Sequence, residues 1–167
     1  IIMSTEWSLD EIYKGFDDDA YEADFKALEE ELVSFGKAVK AADRELKDKV
    51  EELLSFEENI TLLAGKLSLY IGLRESVNTD DGSIMAQSNR FSKVFSSGSA
   101  AFSGASKLYA SIPDVDAFAK ESGLIAKYTY KLKSAKENAK HLLSDEVEEI
   151  ISQLDICLLY TSPSPRD

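Results

Sequence analysis

The stretch Leu46 to Arg74, LKDKVEELLSFEENITLLAGKLSLYIGLR, decides the fold, because it is the longest run compatible with one unbroken helix. Its apolar residues begin on one face with Leu46, Val50, Leu53 and Leu54. They then spread to Ile60, Leu62, Leu63, Leu67, Leu69, Tyr70, Ile71 and Leu73. An apolar stripe that widens along a helix marks passage from a half-buried edge into a core covered on several sides. The pattern predicts a central strut, and around it an all-α chain built as an antiparallel helical bundle or hairpin array.

Working outward, Tyr21, Phe25, Leu28, Leu32, Phe35 and Val39 recur at steps of three and four and predict a helix before the strut. Ala41, Ala42 and Asp43 make the break, with Asp43 a candidate cap. So short a connection makes the two helices antiparallel neighbours. Asp17, Asp18 and Asp19 precede the first helix, where carboxylates cap free N–H groups and oppose the positive end of the dipole. They lack the alternating ligands and central glycine of a calcium loop. Further upstream, Trp7, Leu9, Ile12, Tyr13 and Phe16 crowd into a short segment expected to clasp the helices that follow.

Beyond the strut, Ser76 to Ser83 is rich in turn formers. A third helix is expected from about Ile84 to Ser111. Its middle, Ser96 to Ser106, is small-residued. There Gly98, Ala101 and Ala105 serve either close helix packing or a groove wall, and the flanking Phe95 and Phe102 favour packing. Ile112-Pro113-Asp114 ends that helix, and a short one from Val115 to Glu121 stops at Ser122-Gly123. Leu124 to Leu143 reads as a long helix whose lysine face is a solvated surface balancing acidic neighbours. Ser144, Asp145 and Glu146 cap a last helix through Leu154.

Composition excludes several functions. The chain has 167 residues, enough for one domain, with 19 Lys plus Arg against 31 Asp plus Glu, a net charge of -12. Nucleic-acid binding needs a basic surface to release phosphate counterions, and anionic membranes are disfavoured for the same reason. No apolar run approaches a membrane span and the N-terminus has neither a basic region nor an apolar signal core, so a cytoplasmic location is expected. Cys157 has no disulfide partner, and His141, the one histidine, has no second histidine for a metal site and no adjacent nucleophile. His141 is assigned a structural or surface role. Asn59-Ile60-Thr61 fits a glycosylation acceptor in form but lies inside the strut. No catalytic, cofactor-binding or metal-ligating residue is therefore assigned.

The end of the chain breaks the helical pattern. Cys157 to Asp167, CLLYTSPSPRD, resembles a sequencing-adapter end translated in one frame, which implies that the natural sequence was cut near Ile156 and continues in the underlying gene. Residues 3–155 are expected to be the natural domain, left incomplete, and 157–167 an artefactual tail.

Two patterns point to a family. Trp7-Ser8-Leu9-Asp10-Glu11-Ile12-Tyr13, followed by Phe16-Asp17-Asp18-Asp19-Ala20-Tyr21 and an acidic amphipathic helix, resembles the start of oligoendopeptidase F-type metallopeptidases of the M3 family. Lys140 to Ile151, KHLLSDEVEEII, resembles the same family further on, and together the likeness covers about residues 3 to 155. The resemblance implies the N-terminal helical lobe of a cytosolic zinc metalloendopeptidase that hydrolyses short peptides. Its catalytic His-Glu-x-x-His helix, zinc and general base would belong to a C-terminal domain missing from this chain. This part would wall the substrate channel, bind no zinc and be inactive alone. The rival expectation is a free-standing acidic helical module that binds another protein through an exposed apolar helix face. A small-molecule or metal-binding bundle is weaker, for lack of a Glu-x-x-His pair on facing helices.

Overall fold

The computed structural model describes residues 8–42, 44–77 and 82–139. Among them the chain is all-helical, with no strand: α1 (Asp19–Lys40), α2 (Leu46–Val77), α3 (Gly82–Ser96), α4 (Ser99–Ala110), α5 (Val115–Phe118), α6 (Gly123–Lys127) and α7 (Thr129–Ala139). One 3-10 turn, Ala119–Glu121, joins α5 to α6. Trp7, Asp43, the turn centred on Asn78 to Asp81, His141, the last expected helix and the Cys157–Asp167 tail lie outside the described residues.

The strut is present and the core lies along it. α2 buries Val50, Leu53, Leu54, Ile60, Leu67, Tyr70 and Ile71. α1 packs on it with Tyr21, Phe25, Leu28, Leu32 and Phe35, the residues its period selected. Asp18 is the N-cap of α1, its carboxylate accepting from the Ala20 and Lys14 amides at 3.0 and 2.8 Å, so the acidic triplet acts as a cap.

The described part of the N-terminal segment is the expected clasp. Tyr13 is 1% exposed and stands edge-on to Tyr21 and Tyr70, with ring centroids 5.2 and 5.0 Å away. Phe16 completes the cluster against Tyr70 at 5.5 Å. Edge-to-face pairs of this kind add about 0.5–1.5 kcal/mol each beyond the area they bury. The Tyr13 hydroxyl donates to Asp24 Oδ2 at 2.6 Å, and Lys66 Nζ donates to the same oxygen at 2.7 Å. One carboxylate on α1 thus ties the clasp to α2.

Two expected helices are corrected. The third, Ile84 to Ser111, is broken at Ser97-Gly98 into α3 and α4. The Ser97 hydroxyl donates to the Val94 carbonyl at 2.6 Å, and buried Gly98 sits where a Cβ would lie 2.6 Å from Leu32 Cδ2. The break lets α4 turn against α1, where a Cβ on Gly104 would lie 2.7 Å from Val39 Cγ1. Gly98 and Gly104 therefore serve close packing, by way of a bend that periodicity alone did not indicate, while Ser97, Ala100 and Ala101 line a recess of about 360 Å³ against α1.

The helix expected from Leu124 to Leu143 is interrupted at Tyr128, whose backbone leaves helical values (φ -102°, ψ 14°). The Thr129 hydroxyl donates back to the Ala126 carbonyl at 2.8 Å, and the Tyr128 hydroxyl reaches α2. The kink tilts α7 across α4 while α6 stays on α2. Val115 to Glu121 forms as expected in position, with Asp114 as its cap, but its second half tightens into the 3-10 turn.

Candidate functional site

The strongest candidate is a cleft of about 360 Å³ between α2 and the α6–α7 kink, lined by Glu57, Glu58, Asn59, Leu62, Lys127, Tyr128 and Lys131 among others. Its floor is set by Glu57, which is only 8% exposed. Glu57 falls on the inward arc of α2, four residues after Leu53 and three before Ile60, so the helix period carries it into the core.

A carboxylate so placed survives only with partners. Tyr109 Oη donates to Glu57 Oε2 at 3.0 Å and Lys131 Nζ donates to it at 2.6 Å. Next to it, Glu58 Oε1 accepts from Lys127 Nζ and from the Tyr128 hydroxyl, each at 2.6 Å. Two adjacent glutamates on α2 are each gripped by one lysine and one tyrosine. Glu57 and Lys131 also line a second recess of about 310 Å³ with Phe102, Ser106, Tyr109 and Asn138.

The electrostatics hold Glu58, Lys127, Tyr109 and Tyr128 in their ordinary neutral-pH states. Lys127, through its hydrogen bond, holds the Glu58 carboxyl below the usual range, and Glu58 in turn raises Lys127. Burial and then the Glu57 charge push the Tyr109 hydroxyl far up, while the bond to Glu58 raises Tyr128. The shifts of Glu58, Lys127, Tyr109 and Tyr128 run away from neutrality, whereas a general acid or base needs one that runs toward it. The arrangement binds helices together and offers fixed, paired charges to whatever enters the cleft.

The rest of the lysine face behaves alike. Lys133 pairs with Asp116 at 2.6 Å, and Lys136 donates to the Ile112 carbonyl at 2.9 Å and also to that of Pro113. These lysines meet acidic neighbours and carbonyl groups, as the charge pattern anticipates. The burial of Glu57 escaped sequence reasoning. Its signal was a lone carboxylate on the apolar arc, opposed by a tyrosine and a lysine far along the chain.

Among the described residues no group of three or more His, Cys, Asp or Glu could hold a metal ion. Likewise among them, no helix is long and apolar enough to cross a membrane. No family model, curated protein or solved structure matches the chain.

Proposed function

We propose that this chain is the N-terminal helical lobe of an oligoendopeptidase F-type zinc peptidase, walling the channel that admits short peptides. The observation that carries the reading is the opening pattern Trp7-Ser8-Leu9-Asp10-Glu11-Ile12-Tyr13 with Phe16-Asp17-Asp18-Asp19-Ala20-Tyr21. Its residues have work to do together: Tyr13, Phe16 and Tyr21 form one aromatic cluster, and Asp18 starts α1. The cleft, whose glutamates are each paired with a lysine and a tyrosine, supports a wall rather than a reaction centre. The described residues do not fit a zinc site, so hydrolysis is assigned to a downstream domain and no step of it to these side chains.

The test is the nucleotide sequence beyond the codon for Asp155. A reading frame continuing to a His-Glu-x-x-His helix is expected. A stop codon directly after that point would defeat the proposal. The longer protein should cleave short quenched-fluorescent peptides and lose that activity to a zinc chelator, whereas residues 1–167 alone should cleave none.

A second reading, an acidic helical module that binds another protein, is favoured by one observation. α2 exposes Leu62 and Leu69, at 73% and 55%. Its discriminator is whether residues 3–155 unfold cooperatively as a self-sufficient unit.

A further inference from the structure

Each glutamate of the cleft is engaged through a single oxygen. Tyr109 and Lys131 both donate to Oε2 of Glu57, and Lys127 and Tyr128 both donate to Oε1 of Glu58. A carboxylate has two acceptor oxygens, so each glutamate has a second one to offer. The lysines are in the same position, since an ammonium has three donors and Lys127 and Lys131 each use one in these bonds.

The two ion pairs differ in depth. Glu57 and Lys131 form the inner pair, with side chains 9% and 43% exposed, and Glu58 and Lys127 the outer one, at 30% and 65%. All four residues line one cavity of about 360 Å³, near the low end of the range for small-molecule sites. Leu62 and Tyr128 line it too and add apolar surface beside the charges.

This arrangement selects a class of ligand. A simple cation meets two lysines beside the carboxylates, and a simple anion meets two glutamates beside the ammoniums, so neither gains from one sign without opposing the other. A molecule carrying both charges gains from both. Its ammonium suits the inner end, where the buried Glu57 carboxylate is the least hydrated acceptor. Its carboxylate suits the mouth, where Lys127 is the most exposed of the four side chains. Two amino-acid residues span at most about 7 Å, and a molecule without net charge enters a chain of net charge -12 with no opposition from the long-range field.

We propose that the cleft between α2 and the α6–α7 kink binds a zwitterionic dipeptide with apolar side chains, its ammonium on Glu57 and its carboxylate on Lys127. The assignment stands on the charges of the cleft and does not depend on the peptidase reading. It is tested on residues 1–167, which by that reading cleave nothing, so either can fail alone.

The probe is leucyl-leucine, titrated into the 167-residue chain and followed by calorimetry and by amide NMR shifts. A dissociation constant of about 0.1–1 mM is expected, with shifts centred on residues 57–62 and 127–131. N-acetyl-leucyl-leucine, which lacks the ammonium, and leucyl-leucinamide, which lacks the carboxylate, should each bind at least about tenfold more weakly. Lys127→Gln should remove the preference for the peptide over its amide, and Glu57→Gln the preference over its N-acetyl form. Side chains that only hold helices together would leave both preferences unchanged. Glu57→Gln retains an acceptor for Tyr109 and Lys127→Gln alters the exposed pair, so helix content should not change. No binding at about 10 mM, shifts confined to other helices, or equal binding of either blocked form would overturn the assignment.

Discussion

Glu57 shows how much of this molecule rests on single polar residues meeting across the fold. Glu57→Ala leaves the buried Tyr109 hydroxyl without its acceptor and Lys131 without its counter-charge, and should cost about 2–3 kcal/mol in urea unfolding. Glu57→Gln keeps an acceptor for Tyr109 and should cost about 1 kcal/mol. The pH dependence follows from groups of opposite sign. Arg90 holds Glu22 low through paired bonds of 2.6 and 2.9 Å. For Asp24, burial is the largest influence and acts upward, but the bonds from Lys66 and Tyr13 outweigh it and its carboxyl also lies low. Depressed carboxyls mean that the unfolded chain takes up protons first as pH falls. Their stabilisation is complete above the ordinary values of 4.5 and 3.8 and is lost below them. At the other end, burial raises the Tyr13 and Tyr109 hydroxyls above their ordinary 10.0, so the unfolded chain releases protons first. Stability should hold to about pH 10 and fall above it. Chemical denaturation across pH should give a plateau with both edges. A flat acid edge would count against the Glu22 and Asp24 pairs.

At the scale of elements, glycines on different faces should respond with opposite sign. Gly104→Ala pushes a methyl against Val39 in the α1–α4 contact and should destabilise by about 1–3 kcal/mol. Gly65→Ala meets open space on α2 and should stabilise the fold by about 0.5–1 kcal/mol through helix propensity. Thermal melts of the two variants check both signs. The two helices that broke share a physical reason. Leu124 to Leu143 and Ile84 to Ser111 have adequate helical periodicity, and nothing local forbids continuity. The bends form because tertiary contacts there are worth more than one further turn. Gly98 fits beneath Leu32 only where the helix gives way, and Tyr128 bonds Glu58 from the kinked position. Arg90 contributes similarly, since its guanidinium lies 4.1 Å from the Phe25 ring centroid and fastens α3 to α1 across a long sequence separation.

For the whole molecule, the clasp joins the start of the described chain to both helices of the central hairpin. Tyr13→Ala removes a ring packed on Tyr21 and Tyr70 and the hydroxyl bond to Asp24, and should cost about 3–5 kcal/mol by equilibrium unfolding. A loss below about 1 kcal/mol would show that the hairpin stands without its clasp. The all-helical class, the strut from Leu46, the α1 face, the Asp18 cap and the clasp were legible in the sequence. Each is governed by periodicity or by neighbours within a few residues. The candidate cleft was not legible, because Glu57 meets Tyr109 and Lys131 from 52 and 74 residues away. The exposed leucines of α2 were half legible: Leu62 and Leu69 stood in the widening apolar pattern, but which of its residues would stay exposed depended on where α1, α3 and α6 came to lie. By itself, then, the sequence determined which segments coil and which residues they turn inward, since helix formation and burial periodicity are local properties. Only the tertiary structure decided where helices break, which carboxylate is buried and which apolar face stays open. Those outcomes depend on contacts between residues far apart in the chain, whose energies exceed any local preference.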